Sequence, residues 1–84
     1  MDRRAPTLRQ QVLRAIVASG RRGMTDEEIQ LLLDMNPSTQ RPRRIELVDA
    51  GLVVDSGQTR PTRSGRRAVV WFAVALGEQL ELIR

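Results

Sequence analysis

The 84-residue chain contains no lysine, histidine, cysteine or tyrosine, and all of its basic side chains are arginine. Without histidine and cysteine it lacks the ordinary zinc ligands, a thiol nucleophile and an imidazole base. Most catalytic constellations are thereby excluded, so we expect a binding protein, not an enzyme, with no cofactor and no metal. No disulfide can stabilise the fold, and one modest hydrophobic core must suffice.

Long hydrophobic runs are also missing. The longest one, residues 69–76, suits a buried strand and is far shorter than the roughly 20 residues that cross a bilayer. The first residues lack the apolar segment of a signal peptide. We therefore expect one cytoplasmic domain over residues 1–84 with its core at 7–74 and no membrane partner.

What the chain does contain is fourteen arginines, with a net charge of +4. Half of them lie between Asn36 and Arg67, a stretch with only three acids, whereas residues 24–35 hold four acids and no base. The arginine fork binds phosphate oxygens and the N7/O6 edge of guanine. Codon bias in a GC-rich genome explains the choice of arginine over lysine but not this sorting, which suits a face that meets a polyanion.

The first two predicted helices have clear boundaries. The first covers residues 7–19, with Thr7 as its cap and Gly20 after its end. The second begins after Thr25, which has Glu28 at the capping-box spacing, and ends near residue 35. Three apolar residues of the second helix are expected to form its buried stripe: Ile29, Leu32 and Leu33.

The third predicted helix opens with Asn36 and Pro37, a cap followed by proline, and runs to about Ala50 before Gly51. Only a few residues separate it from the second helix, which is a helix-turn-helix layout. Pro42 inside it removes one backbone hydrogen bond and should kink it.

Beyond the third helix the pattern becomes extended. Residues 52–54 and 68–74 are rich in β-branched and aromatic side chains and predict two strands. The arginine-rich segment between them, residues 55–67, is interpreted as a loop or a twisted ribbon. Residues 23–24 form a short link, long enough for a two-residue strand.

In this arrangement the chain resembles the winged helix-turn-helix DNA-binding family. The resemblance rests on residues 24–29 (MTDEEI), 36–40 (NPSTQ) and 46–53 (ELVDAGLV), the last being similar to the helix-to-strand junction of many bacterial members. Residues 55–57, 63–66 and 70–71 look like small members carried by phages and mobile elements. The family implies an α+β fold of three helices and a two- to three-stranded antiparallel β-wing. It also implies sequence-specific binding of double-stranded DNA by a transcriptional regulator or a phage or mobile-element DNA-binding factor. Such a protein would be nucleoid-associated, or in the host cytoplasm if a phage encodes it.

One feature departs from the family, which usually places apolar residues where Gln40 and Arg44 stand. At about 100° per residue, three apolar side chains define the inward face of the third helix: Ile45, Leu47 and Val48. Arg44 falls within that arc. It is then either a structural residue paired with an acid such as Asp34 or Asp49, or a DNA contact.

The third helix would enter the major groove with its N-terminal half leading. Five residues of this half are candidate DNA contacts: Ser38, Thr39, Gln40, Arg41 and Arg43. Glutamine suits adenine and arginine suits guanine. The alternative for Ser38 and Thr39 is that they only cap the helix.

The wing offers four further candidates for the DNA backbone or the minor groove: Arg60, Arg63, Arg66 and Arg67. A narrow minor groove concentrates negative potential that attracts arginine. The alternative is a charged loop in solvent.

Other functions stay open at this point. The chief alternative is a protein-interaction module that docks on an acidic partner, because fold does not fix function. Two aromatic residues are too few for a base-stacking platform, which disfavours single-stranded ligands and RNA. The tail, residues 75–84, would form a short helix that pairs with a second copy, packs on the first helix or frays. The first helix is the other candidate homodimer contact.

Overall fold

The computed structural model describes residues 5–74. These form α1 (Leu8–Ser19), a 3-10 turn (Gly20–Arg22), α2 (Asp26–Leu33), α3 (Pro37–Asp49), β1 (Val53–Pro61) and β2 (Arg67–Ala73). The two strands pair antiparallel in one sheet. The predicted α+β layout of three helices and a two-stranded hairpin, compatible with a winged helix, is confirmed. The predicted tail, with its short helix and homodimer contact, lies outside the described residues.

The helix starts are set by capping side chains. Thr7 caps α1 and Thr25 caps α2, each in a capping box with the residue three positions later, and Asn36 caps α3. These predictions are confirmed, because cap signals act over a few residues of sequence. α2 ends earlier than predicted, at Leu33, because Asp34 takes the left-handed conformation with φ 55°.

The core lies where the three helices meet the base of the hairpin. Its buried members come from all of these elements and, in the case of Met24, from the link before α2: Val12, Ala15, Ile16, Met24, Ile29, Leu47, Val53 and Ala73. The prediction that Leu32 is buried is wrong, since it is 63% exposed. The inward side of α2 carries Ile29 and Leu33 together with the polar Asp26 and Gln30, which turns Leu32 outward.

The hairpin is longer than predicted and takes the ribbon form. β1 continues to Pro61, with a register irregularity between Asp55 and Thr59, and the turn at residues 62–66 closes it. Met24 makes an isolated bridge to Trp71, so the predicted extended link at residues 23–24 contributes one paired residue. Gly23 has φ +67°, and a Cβ there would lie 2.6 Å from Cγ1 of Val70. The close approach of this link to β2 therefore requires glycine.

A polar network joins α2 to α3. Nε and Nη2 of Arg44 donate to the two carboxylate oxygens of Asp26 at 3.0 and 2.8 Å. Nε2 of Gln40 donates to the same carboxylate at 3.0 Å, and its Oε1 accepts from Gln30 at 2.8 Å. The Arg44 guanidinium also lies 4.2 Å from the centroid of the Trp71 ring, a cation–π contact.

This network decides between the two alternatives for Arg44. Arg44 points inward and pairs with an acid, which is the structural alternative. The expected partners, Asp34 or Asp49, were wrong, because the acid that reaches it is Asp26 in the first turn of α2. The two paired side chains are only 16% and 19% exposed, so the pair is held largely away from water.

We expect Arg44→Ala to lower the free energy of unfolding by about 2–4 kcal/mol, because it leaves the shielded Asp26 carboxylate without its cationic partner. Urea unfolding would measure this change. Arg41→Ala is the matched control: it removes the same charge from an exposed position of the same helix, and it should change stability by no more than about 0.5 kcal/mol. Equal stability of the two variants would contradict a structural role for Arg44.

Candidate nucleic-acid interface

Helix α3 presents two different faces. Its inward stripe consists of Gln40, Arg44 and Leu47, spaced at i, i+4 and i+7. Its exposed residues beyond Pro37, the first residue of the helix, lie on the other side: Ser38, Arg41, Pro42, Ile45 and Asp49. The predicted inward position of Ile45 is therefore wrong, since this residue is 47% exposed. Gln40 and Arg44 occupy the inward side of the helix, where Ile45 was expected to lie.

Gln40 is the clearest correction to the predicted site. It is 0% exposed, and its side-chain amide donates a hydrogen bond to Asp26 and accepts one from Gln30. A side chain in that position does not reach a base edge. One signal for this was in the sequence: Gln40 and Arg44 stand where the winged-helix resemblance places apolar, inward residues, and both of them do point inward.

The first turn of α3 is held by its cap. Oδ1 of Asn36 accepts the Thr39 N–H at 2.9 Å and the Ser38 hydroxyl at 2.7 Å. Ser38 is exposed and Thr39 is half-buried. The hydroxyl oxygen of Ser38 keeps free lone pairs on the outward side and can accept further hydrogen bonds.

The two arginines that follow in α3 differ in their environment. Arg43 forms a bidentate ion pair with Glu46, with Nε and Nη2 at 3.1 and 2.8 Å from the carboxylate oxygens. Its charge is thus largely compensated on its own helix. Arg41 is exposed, and no salt bridge engages it within residues 5–74.

The guanidinium group of Arg60 makes its contacts within the protein. Its guanidinium donates to both carboxylate oxygens of Glu28, at 3.0 and 2.8 Å, and to the carbonyls of Arg22 and Gly23 at 3.2 and 3.1 Å. Arg60 lowers the pKa of the Glu28 carboxyl; burial opposes this shift, and the Thr25 N–H adds to it. This arginine joins the middle of the hairpin to the start of α2, and it leaves few donors for a ligand.

The remaining predicted wing residues are exposed. Arg67 donates through Nε and Nη2 to the hydroxyl and carbonyl oxygens of Thr59, which holds it against the hairpin. Arg63 and Arg66 lie in the turn, and no ion pair involves them within the described part of the chain. The turn itself is fastened to α2 by the Arg63 backbone N–H, which donates to Glu27 at 3.1 Å.

One groove brings α3 and the wing together. It has a volume of about 400 Å³ and is lined by residues of α2, α3 and the hairpin: Asp26, Glu27, Gln30, Pro37, Arg41, Thr62, Ser64, Arg66, Arg67 and Ala68. Arg41 comes from α3, whereas Arg66 and Arg67 come from the wing. The acidic wall is partly neutralised, since Asp26 is already paired with Arg44. The groove therefore places arginines from two separate elements around one space.

The sequence did not reveal the structural use of the acids in α2. From the sequence alone, the explanation for these acids is the favourable interaction of carboxylates with a helix N-terminus, which is a local effect. The structure adds a partner for each: Asp26 binds Arg44, Glu28 binds Arg60, and Glu27 accepts the N–H of Arg63. These partners are 18 to 36 residues away along the chain, beyond the range of any local pattern.

No protein-family model, curated protein or solved structure matches this chain. Within the described residues, no group of three or more acidic, histidine or cysteine side chains could hold a metal ion. The same residues include no helix that is long and apolar enough to cross a membrane. The function must therefore be argued from the geometry itself.

The ion pair between Glu28 and Arg60 predicts a pH-dependent stability. Because the pKa of Glu28 is lowered in the folded state, the pair stabilises the protein above the pKa of the unfolded chain. That contribution is lost as the pH falls through the folded-state value. Replacing Glu28 by Gln should cost about 1–2 kcal/mol at neutral pH, and the difference from the wild type should shrink in acid.

Urea unfolding of both proteins between neutral and strongly acidic pH would measure this difference. The control is the same comparison in an Arg60→Ala background, where the Glu28 carboxylate has lost its main partner. There the difference should be small and nearly independent of pH. A wild-type advantage that stays constant into strong acid would contradict the assignment.

Proposed function

We propose that this chain is a sequence-specific double-stranded DNA-binding protein of the winged helix-turn-helix type. α3 enters the major groove, and the arginine-bearing wing lies on the backbone or in the adjacent minor groove. It acts in the cytoplasm as a transcriptional regulator or as a DNA-binding factor of a phage or mobile element. The observation that carries the proposal is the groove that Arg41 of α3 shares with Arg66 and Arg67 of the wing.

The distribution of compensated and uncompensated charge supports this proposal. Arg43, Arg44 and Arg60 each form a bidentate ion pair inside the protein. Arg41 and Arg66 form none with any residue from 5 to 74, and both line the groove between α3 and the wing. Guanidinium groups without an internal partner are the ones that can replace the counterions of a phosphate backbone. The positive potential thus concentrates where a duplex would meet two elements at once.

The geometry of α3 also suits a major groove. A single α-helix fits the width of that groove, and the N-terminal residues of a recognition helix usually contact the base edges. Ser38 and Arg41 are the exposed polar residues in this half of α3. They replace Gln40, which is buried, as the leading candidates for hydrogen bonds to bases. Arg41 in particular suits the N7/O6 edge of guanine.

A second candidate function is docking on an acidic protein partner. The exposed Pro42 and Ile45 on the outward face of α3 favour it, since apolar side chains flanked by arginine are common in protein interfaces. Salt dependence separates the two functions. Binding that displaces counterions from a polyelectrolyte depends much more steeply on salt than docking between two proteins.

Gel-shift titration of random-sequence duplex DNA at several salt concentrations tests the proposed function. For four to six phosphate contacts, the logarithm of the affinity should fall with the logarithm of salt concentration with a slope of about −4 to −5. Arg63→Ala and Arg66→Ala should each flatten this slope by about 1. Arg14→Ala is the charge-matched control on the exposed side of α1 and should leave the slope unchanged. Wing variants with the wild-type slope would place the wing away from the phosphates.

Arg41 should supply discrimination between sequences. We expect Arg41→Ala to weaken binding to a preferred duplex by about 1–3 kcal/mol while random-sequence duplexes are affected much less. Arg43→Ala removes the same charge two residues later, from a side chain already paired with Glu46, and should cost less. If preferred and random duplexes weaken equally with Arg41→Ala, this residue contacts only phosphate.

A further inference from the structure

The outward face of α3 has an apolar centre. Pro42 and Ile45 are both exposed and lie three residues apart, so they are neighbours on the helix surface. Ile45 is 47% exposed. Arg41 lies one turn before Ile45 on the same side, and Ser38 lies one turn before Pro42. The outward face of α3, which we propose to contact the base edges, is therefore hydrophobic at its centre and polar toward its N-terminal end.

This composition is unusual for a helix turn that faces only water. Proline in a helix interior removes a backbone hydrogen bond, and isoleucine is a weaker helix former than the long polar residues that solvent positions favour. Two side chains near Ile45 that suit hydrogen bonds to bases are instead engaged within the protein. Gln40 is buried against Asp26, and Arg43 is held by Glu46. An apolar contact is what this part of the helix has left to offer.

The major groove displays one apolar feature, the 5-methyl group of thymine. We propose that Ile45, supported by Pro42, recognises thymine through that methyl group, so that the preferred duplex carries a thymine opposite the middle of α3. The inference rests on the proposed function and adds the identity of a base to it. Charge complementarity favours DNA as the occupant of this face, because Arg41, one turn before Ile45, shares a groove with Arg66 and Arg67 of the wing, and arginines from two elements can contact one phosphate backbone.

The test removes the methyl group alone. A preferred duplex is first selected from a pool of random-sequence duplexes with the full chain. Each deoxythymidine in it is then replaced, one at a time, by deoxyuridine, which keeps every hydrogen-bonding group. For the wild type, we expect the affinity to fall about fourfold at one or two positions, the loss that corresponds to one buried methyl group.

Ile45→Ala completes the comparison. It should weaken binding to the thymine-containing duplex at least as much, and it should abolish the difference between thymine and uracil at the sensitive position. Since Ile45 is exposed, the variant should melt like the wild type, which a thermal scan verifies. The matched control is Val54→Ala, another exposed β-branched residue, 43% exposed and located in β1. This control should retain the full preference for thymine.

The outcomes separate the two proposals. Wild-type binding that is equally tight with thymine and uracil at every position overturns the role of Ile45 while DNA binding stands. The role of Ile45 is equally overturned if Ile45→Ala keeps the preference for thymine. If the wild type binds no duplex at low salt, the proposed function itself fails.

Discussion

The carboxylate of Asp26 is the point on which the arrangement of the helices depends. It accepts two hydrogen bonds from Arg44 and one from Gln40, and thereby joins the first turn of α2 to the middle of α3. A bidentate pair has a narrow geometric optimum, so it restricts the rotation of α3 about its own axis as well as its distance from α2. The stacking of Arg44 on Trp71 extends the same constraint to the hairpin.

The neighbouring acids continue this constraint into the wing. Glu28 holds Arg60, and Glu27 accepts the backbone N–H of Arg63 at the turn. One helical turn with three consecutive carboxylates therefore positions both α3 and the hairpin. It also compensates two of the arginines of the basic stretch, so the number of arginines overstates the positive charge that faces outward. The charge that has no acidic partner within the described residues, at Arg41, Arg63, Arg66 and Arg67, lies around and beside one groove.

The sequence predicted what is encoded locally. Helix starts at Thr7, Thr25 and Asn36 follow from caps that act over three residues, and the extended pattern after Gly51 follows from β-branched residues. The orientation of α3 could not be predicted in the same way. Hydrophobic periodicity placed Ile45 inward, but the inward stripe contains Gln40 and Arg44, whose partners come from α2. Hydrophobic periodicity does not detect polar residues in an interior, because they are stabilised there by hydrogen-bond partners distant in the sequence.

The polar contacts between α2 and α3 affect how uniquely the fold sets the orientation of α3. Replacing a buried ion pair by apolar residues often leaves stability unchanged or raises it, and the best-attested use of such pairs is to fix register. In this chain the register in question is the rotation of α3. Apolar side chains at positions 40 and 44 would tolerate small rotations of the helix, whereas the directional hydrogen bonds to Asp26 tolerate few. Because Arg41 and Ile45 are adjacent in sequence to Gln40 and Arg44, the inward network determines which side chains face outward. Gln40 and Arg44, which point inward and do not contact a ligand, thus determine which residues form the outward surface of α3.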